Sequence, residues 1–243
     1  PDGKVRQGGI PCVIFVHGGP SEQFVPGFDE NIAFFVLQGW GVLAVNVRGS
    51  RGFGVDFEGR DNGRARMDAV RDVVGAGKWL VEGGYCWKGA VGGLGVSYGG
   101  MILLLGVNEA PELFAGCIAA FPITDVAGYI EAQGVFTKSG LQEEFGELRE
   151  AEFLRSISPL YVMRAISVPL LIAVGDRDNV VPVTQSIRLV RAMEEMSANI
   201  ELVVLEGEGH GFSKKESLRT FRGKMASFFG KYLGSSEGAG VGR

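Results

Sequence analysis

The sequence predicts an α/β fold, with a mostly parallel central sheet and helices on both of its faces. Short and nearly continuous apolar segments alternate along the chain with longer segments whose apolar residues recur at helical spacing. Strands that are apolar throughout are typical of parallel sheets buried between two layers of helices. The chain has 243 residues, of which 46% are hydrophobic, so it is long enough to bury one large core.

Each predicted strand is a short apolar segment bounded by glycine or polar residues. The predicted strands are 12–16, 42–47, 90–94, 115–120, 170–174 and 200–205. Their shortness and their flanking turn residues favour buried strands over helices. In a parallel sheet, the polar residues that directly follow such strands lie at the edge where ligands bind.

The predicted helices lie between these strands. The helix over 65–82 carries apolar residues at helical spacing, at Val70, Val73, Val74 and Leu80, which form one face. The helix over 101–107 is apolar almost throughout and is expected to be buried. The predicted helices are 29–38, 65–82, 101–107, 183–196 and 214–232. Because they alternate with the strands, they predict the crossover connections that a parallel sheet requires.

Residues 133–159 interrupt this alternation. The segment combines apolar side chains such as Phe136 and Phe145 with many glutamates. We expect short helices inserted between two strands. Segments that follow strands often carry function, so the insertion either lies near the substrate or covers an edge of the sheet.

Charge and composition exclude several classes of function. The formal net charge is −4, which leaves no electrostatic footprint for nucleic acid or an anionic membrane. No apolar run approaches the roughly 20 residues of a membrane helix, and the first residues show no secretory signal pattern. The sequence therefore predicts a cytoplasmic protein that binds neither nucleic acid nor membranes.

The three cysteines, Cys12, Cys86 and Cys117, each lie among apolar residues. Such an odd and sparse set does not indicate a disulfide framework, so we expect buried thiols in a reducing compartment. No spacing of cysteines or histidines is that of a metal site. Neither a metal nor a cofactor is expected.

Residues 95–100 read Gly-Val-Ser-Tyr-Gly-Gly and match the Gly-x-Ser-x-Gly pattern of a nucleophile elbow. In this element a tight strand-to-helix turn exposes the serine, and small residues must flank it. Gly95, Gly99 and Gly100 meet that requirement. The pattern predicts Ser97 as a nucleophile, with an ordinary serine in a glycine-rich turn as the alternative.

A serine nucleophile needs a base, and the chain contains only two histidines, His17 and His210. His210 is the predicted general base, since it lies between two glycines that free its loop to bring the imidazole over Ser97. Two candidate orienting acids, Asp176 and Asp178, stand between the serine and this histidine. Either aspartate could instead cap the following helix. The order Ser, Asp, His is that of α/β-hydrolases, which predicts an α/β-hydrolase fold.

His17 begins the segment His-Gly-Gly-Pro, directly after the first predicted strand. Acyl transfer needs preorganised hydrogen-bond donors directed at the developing oxyanion. In this fold one donor is the backbone N–H after the nucleophile, here that of Tyr98, and the other comes from a loop after an early strand. We assign the second donor to Gly19, beside Gly18, and expect His17 to shape the loop. A simple glycine turn is the alternative.

The loop over 48–54 reads Arg-Gly-Ser-Arg-Gly-Phe-Gly. It lacks both the ending of a phosphate-binding loop and the spacing of a dinucleotide fingerprint. We therefore expect a rigid loop that supports the site. Arg48 either orients neighbouring loops or binds a substrate carboxylate.

These motifs together resemble the catalytic domain of the prolyl oligopeptidase family, most closely its acylaminoacyl-peptidase and dipeptidyl-peptidase-like branches. The matching segments are His-Gly-Gly-Pro (17–20), Asn-Val-Arg-Gly-Ser-Arg-Gly-Phe-Gly (46–54), Gly-Val-Ser-Tyr-Gly-Gly (95–100), Ser-Ile-Ser-Pro (156–159), Asp-Asn-Val-Val-Pro (178–182) and His-Gly-Phe (210–212). The resemblance covers nearly all of 10–233. It implies Ser97, Asp178 and His210 as a catalytic triad, and so favours Asp178 over Asp176 as the acid.

The same resemblance implies what the site does. The backbone amides of Gly19 and Tyr98 would form the oxyanion hole, with no metal or cofactor. We therefore expect a serine peptidase that cleaves amide bonds of short peptides or acyl-peptides through an acyl-enzyme. A carboxylesterase with the same triad is the first alternative, and a non-catalytic binding module with this fold is the second.

The expected domain organisation is a catalytic domain over 1–233 followed by a flexible glycine-rich tail over 234–243. Members of the family usually carry an N-terminal β-propeller that filters substrates by size, and this sequence contains none. We therefore expect an N-terminally truncated chain whose full-length protein carries the propeller. Self-association into a homo-oligomer stays open.

Overall fold

Six parallel strands form one sheet in the computed structural model, which describes residues 9–164 and 166–234. The strands are β1 (Ile10–Val16), β2 (Gly41–Val45), β3 (Cys86–Val96), β4 (Phe114–Ala120), β5 (Leu170–Gly175) and β6 (Ile200–Leu205). Their order across the sheet is β2-β1-β3-β4-β5-β6. Each of the predicted strands is present, and the predicted α/β architecture is confirmed.

Ten α-helices connect and cover these strands within the described residues. They are α1 (Glu30–Leu37), α2 (Val55–Glu58), α3 (Arg66–Glu82), α4 (Tyr98–Glu109), α5 (Val126–Glu131), α6 (Val135–Phe145), α7 (Ala151–Ser156), α8 (Pro159–Val162), α9 (Val183–Glu195) and α10 (Lys215–Leu233). Each predicted helix is among them. The end of α1 shows how closely local chemistry sets these bounds, since Gly39 follows it with a φ of 82°.

Alternate residues of the central strands face two separate hydrophobic cores. On β1, Ile14 and Val16 face the core formed with α3, α4 and α9, whereas Val13 and Phe15 face the core formed with α1 and α10. All four side chains are buried. Because consecutive side chains of a strand point to opposite faces, helices cover both faces of the sheet, as predicted.

The central strand β3 extends beyond the predicted strand over 90–94 and also includes residues 86–89 and 95–96. A Cβ atom at Gly93 would lie 2.6 Å from Leu103 of α4, and one at Gly92 would lie 2.9 Å from Phe229 of α10. The missing side chains therefore let helices approach the strand closely from both faces. The residues that flank the predicted segment include Lys88, Gly89 and Gly95, which local propensity disfavours in strands, so the sequence pattern alone underestimates this element.

The predicted insertion over residues 133–159 contains short helices, as expected, between β4 and β5. Ser158, near the end of this insertion, connects it to α5, which precedes it. Its buried hydroxyl donates to the carbonyl of Leu154 at 2.7 Å and accepts from the amide of Val126 at 2.9 Å. The short helices α5 and α7 are thereby held against each other.

All three cysteines are buried and free, as predicted. The last helix ends at Leu233, and residues 235–243 of the predicted tail lie outside the described residues. In the described part of the chain, no helix has both the length and the hydropathy needed to cross a lipid bilayer.

Candidate active site

The candidate catalytic residues lie at the carboxyl ends of the parallel strands. Ser97 directly follows β3 and His17 directly follows β1. Asp178 lies in the loop after β5, and His210 lies in the loop after β6. Because all strands run in one direction, these four loops meet at a single edge of the sheet, where α/β folds bind their ligands.

Ser97 occupies a strained turn between β3 and α4. Its φ is 56° and its ψ is −118°, a conformation that non-glycine residues rarely adopt. The turn leaves no room for side chains at positions 95 and 99. A Cβ atom at Gly99 would lie 2.3 Å from the carbonyl oxygen of His17, and one at Gly95 would lie 2.3 Å from the carbonyl oxygen of Gly99. The flanking glycines are therefore required by close backbone contacts.

Ser97, His210 and Asp178 form a continuous hydrogen-bonded chain. His210 Nε2 lies 2.9 Å from Ser97 Oγ, and His210 Nδ1 lies 2.7 Å from Asp178 Oδ2. A carboxylate can only accept, so Nδ1–H donates to Asp178 and leaves Nε2 free to accept the serine proton. The backbone amides of Val180 and Val181 donate to Asp178 Oδ1, each at 2.9 Å. Both carboxylate oxygens are thus held in place.

The other candidate acid, Asp176, makes a different contact. Its exposed side chain accepts a hydrogen bond from the backbone amide of Gly207 at 2.5 Å. This bond supports the turn after β6 rather than the imidazole. Of the two aspartates, Asp178 is the one that reaches His210.

His17 holds the loop that contains Gly18 and Gly19. Its Nδ1 lies 2.7 Å from the carbonyl oxygen of Gly18, and its Nε2 lies 2.8 Å from Ser50 Oγ. Burial lowers the pKa of His17. Because a carbonyl oxygen can only accept, Nδ1–H donates to Gly18, while the hydroxyl of Ser50 also donates to the carbonyl of Val47 at 2.7 Å. In a planar trans peptide the N–H points opposite to the C=O. The amide of Gly19 is therefore turned away from His17, on a loop that passes beside Ser97.

Tyr98 provides the other predicted oxyanion donor. It is the first residue of α4, so its backbone N–H has no acceptor within the helix. The helix N-terminus also carries a partial positive charge that favours a developing anion. The side chain of Tyr98 is fully buried behind the elbow. This amide is thus available to a bound oxyanion beside Ser97.

Arg48 orients a neighbouring element, which decides between the two roles that the sequence left open. Its Nε and Nη2 donate to the carboxylate of Asp72 on α3 at 2.9 and 2.7 Å, and its backbone amide donates to the same group at 2.8 Å. Such a bidentate pair has a defined geometry. Arg48 therefore fastens the glycine-rich loop to α3.

Asn46 is a supporting residue for which the sequence carried no separate signal. Its Oδ1 accepts from the amide of Phe24 at 2.7 Å, and its Nδ2 donates to the carbonyl of Phe24 at 3.0 Å. The backbone amide of Arg51 also donates to the carbonyl of Glu22 at 3.2 Å. The segment that follows His-Gly-Gly-Pro is thereby fixed from both sides.

Glu208 anchors the loop of His210 and was also not predicted. The buried carboxylate accepts from the amide of Lys214 at 2.9 Å and from the amide and hydroxyl of Ser213 at 3.1 Å each. The ring of His210 also packs against the ring of Phe121, with centroids 5.3 Å apart. Nothing in its local sequence distinguishes Glu208 from the many exposed glutamates.

We expect Glu208→Gln to remove a pH-dependent contribution to stability. Hydrogen bonds from Ser217, Ser213 and Lys214 lower the pKa of Glu208 from 4.5 to about 2. The unfolded chain then binds the proton more readily, so the contribution is complete above pH 4.5 and is lost as the pH falls toward about 2.

Urea denaturation over this pH range measures the effect. The free energy of unfolding of the wild-type chain should fall more steeply with decreasing pH than that of Glu208→Gln. The exposed neighbour Glu206 provides the control, since Glu206→Gln should follow the wild type. Parallel curves for wild type and Glu208→Gln would contradict the anchoring role.

Within the described residues, no group of three or more His, Cys, Asp or Glu side chains is placed to hold a metal ion. The groups that converge on Ser97 are a base, His210, its acid partner Asp178, and backbone amides. This set is suited to activating a hydroxyl group and stabilising an oxyanion.

Comparison with known proteins places this site in a family. The model of the prolyl oligopeptidase family matches residues 26–236. The chain is 30% identical to dipeptidyl aminopeptidase BIII of Pseudoxanthomonas mexicana, over 96% of the chain and 34% of the relative. It is 27% identical to acylamino-acid-releasing enzyme 1 of Oryza sativa subsp. japonica, over 85% of the chain and 28% of the relative.

A solved structure gives the same result. The puromycin-hydrolyzing peptidase of Mycobacterium tuberculosis superposes with a TM-score of 0.89 and 29% identity, over 97% of this chain and 35% of the other. The chain thus spans about a third of the length of the relatives it matches. The shared sequence and fold show that the chain belongs to the prolyl oligopeptidase family.

Proposed function

We propose that this chain is the catalytic part of a serine peptidase that cleaves amide bonds of short peptides through an acyl-enzyme on Ser97. One observation carries the proposal. Ser97, in its strained turn, is joined through His210 to Asp178 by contacts of 2.9 and 2.7 Å. This is the arrangement that makes a serine hydroxyl nucleophilic at neutral pH.

The reaction follows from the donors and acceptors in place. Ser97 Oγ attacks the substrate carbonyl carbon while His210 Nε2 takes the hydroxyl proton. Asp178 holds the imidazole in the tautomer that can accept this proton and stabilises the imidazolium that forms. The amides of Gly19 and Tyr98 donate to the oxyanion of the tetrahedral intermediate.

The second half of the cycle uses the same groups. The imidazolium of His210 protonates the leaving amine as the C–N bond breaks, which leaves an ester on Ser97. Water then attacks this ester, with His210 again as the base, and the acid product leaves as Ser97 regains its proton. The proton count balances over the cycle, so the chemistry needs no further reactant besides water.

The relatives favour a peptide substrate over a simple ester. Their names describe a dipeptidyl aminopeptidase, an acylamino-acid-releasing enzyme and a puromycin-hydrolyzing peptidase. These relatives are about three times as long as this chain. This length supports a further N-terminal domain in the whole protein, which we expect to be a β-propeller that limits access to the site.

We expect the chain to hydrolyse N-acetyl-alanine p-nitroanilide in a manner that depends on Ser97. Amide cleavage requires protonation of the leaving amine, which His210 is placed to supply. The measurement is kcat/KM on this anilide and on p-nitrophenyl butyrate, with Ser97→Ala as the control.

The two substrates separate the candidate functions. Hydrolysis of the anilide supports the peptidase. Hydrolysis of the ester alone would instead favour a carboxylesterase with the same triad. Hydrolysis of neither substrate would contradict both.

A further inference from the structure

A buried cluster of charged and polar side chains lies directly behind Ser97 and has no role in the reaction as described above. It consists of Asp61, Arg66, Tyr98 and Glu144, which we call the Arg66 cluster. The side chain of Arg66 has no exposed surface, and those of Asp61 and Tyr98 are also buried. A fully buried arginine at this position calls for a specific explanation, because arginine is rarely buried unless paired.

Arg66 connects three separate segments through one guanidinium group. Its Nη1 donates to Tyr98 Oη at 2.6 Å and also to Asp61 Oδ2. Its Nη2 donates to Glu144 at the end of α6, at 2.7 Å to the backbone carbonyl and 2.6 Å to Oε1. The hydroxyl of Tyr98 in turn donates to Asp61 Oδ2. The planar guanidinium thus cannot rotate without breaking several bonds.

Two aromatic rings enclose the same guanidinium. Its central carbon lies 5.0 Å from the centroid of the Tyr98 ring and 4.6 Å from that of Phe145. The rings of Tyr98 and Phe145 also contact each other edge to face, with centroids 6.2 Å apart. Cation–π contacts of this kind add to the hydrogen bonds at a buried site.

Burial and the neighbouring charges act in opposite directions in this cluster. Burial alone would lower the pKa of Arg66, but Asp61 and Glu144 raise it above its ordinary value, so the guanidinium stays charged. Burial also raises the pKa values of Asp61 and Glu144, although Arg66 opposes this shift. Burial raises the pKa of Tyr98, so its phenol stays protonated and can donate to Asp61. Arg66 therefore donates to Tyr98 and Asp61, and Tyr98 donates to Asp61.

Stability alone does not account for this arrangement. A buried ion pair is often no more stabilising than apolar side chains of similar volume. Within the described residues, Asp61 Oδ1 and Arg66 Nε also have no hydrogen-bond partner. The contacts that are made converge on the hydroxyl of Tyr98, the residue that follows the nucleophile.

We propose that Arg66 is a positioning residue, which holds the side chain of Tyr98 so that the backbone N–H of Tyr98 stays directed at the oxyanion. The inference rests on the proposed function of Ser97. Tyr98 is held at its hydroxyl by Arg66 and Asp61 and at its backbone by α4, so the peptide between Ser97 and Tyr98 cannot turn. Glu144 holds the opposite side of the guanidinium and prevents Arg66 from moving away.

The proposal predicts a loss of kcat with little change in KM. Arg66→Met keeps a long side chain but removes every donor, and we expect kcat to fall about 100-fold, since misplacing an oxyanion donor costs about 10²–10³ in kcat. Arg66→Lys should not restore it, because an ammonium cannot bind both Tyr98 and Glu144 in fork geometry. Tyr98→Phe removes only the hydroxyl, and we expect a loss of about tenfold.

A transition-state analogue separates positioning from general damage to the fold. A peptide boronic acid forms a tetrahedral adduct with Ser97 whose oxygen uses the oxyanion donors. Its inhibition constant should rise by the same factor as kcat/KM falls across the variants. The control is Arg64→Met, because Arg64 is the neighbouring surface arginine, with 76% of its side chain exposed.

The outcomes are distinct. If the wild-type chain is active and Arg66→Met has the same kcat and the same affinity for the boronic acid, the inference about Arg66 is overturned, whereas the proposed function stands. If Arg66→Met does not fold, as thermal melting would show, Tyr98→Phe decides, and an unchanged kcat in that variant overturns the inference. A wild-type chain that hydrolyses neither test substrate would overturn the proposed function together with it.

Discussion

Replacing Ser97 by alanine is expected to lower kcat on the anilide by about a million-fold, the loss seen when a triad serine is removed from another serine hydrolase. The variant retains the amides of Gly19 and Tyr98 but has no oxygen that can attack the carbonyl or carry the acyl group. Alanine differs from serine only by the hydroxyl, so the turn at φ 56° remains as it is. The expected fold is unchanged, and the loss is purely chemical.

Single-turnover hydrolysis measures the change, with thermal melting to show that the fold is intact. His210→Ala should reduce kcat by a similar factor, and the double variant Ser97→Ala/His210→Ala should be little worse than either single one. The residues act as one unit, so their effects do not add. Activity of Ser97→Ala within tenfold of wild type would remove Ser97 from the mechanism.

Asp178→Asn is expected to lower kcat by about 10⁴-fold. The amides of Val180 and Val181 both donate to Asp178 Oδ1, so the carbonyl oxygen of the new asparagine should take that position. Its NH₂ group then faces His210 Nδ1 and donates to it. The imidazole proton is forced onto Nε2, which can no longer accept the proton of Ser97.

Asp176→Asn is the matched control, since it makes the same chemical change two residues earlier. Asp176 is exposed and accepts from the amide of Gly207, a bond that the asparagine carbonyl oxygen can also accept. We expect kcat within a few-fold of wild type. The opposite ranking of the two variants in kcat would assign the orienting acid to Asp176.

Hydrophobic periodicity was enough to predict the fold class. Apolar strands alternate with amphipathic helices, and the structure confirms the parallel sheet and its two helix layers. The main deviation is in β3, which runs beyond the predicted 90–94 to Cys86 and Val96. The added residues include Lys88, Gly89 and Gly95, which local propensity disfavours in strands.

The sequence by itself also located the candidate catalytic motifs at the ends of predicted strands. It could do so because the residues that a tight turn needs are close together in the sequence. A strained turn needs glycines within two residues of Ser97, and this need is visible in Gly-Val-Ser-Tyr-Gly-Gly. The chain also holds only two histidines, which restricts the choice of a base to His17 and His210.

Only the tertiary structure decided which side chains meet. It brings Asp178 rather than Asp176 to His210, turns His17 toward Ser50, and joins Arg66 to Glu144. The last two residues are 78 positions apart in the sequence. Local patterns encode burial and backbone conformation, whereas the partner of a buried charge depends on which loops the sheet brings together. For this reason the nucleophile could be predicted from the sequence, and the cluster behind it could not.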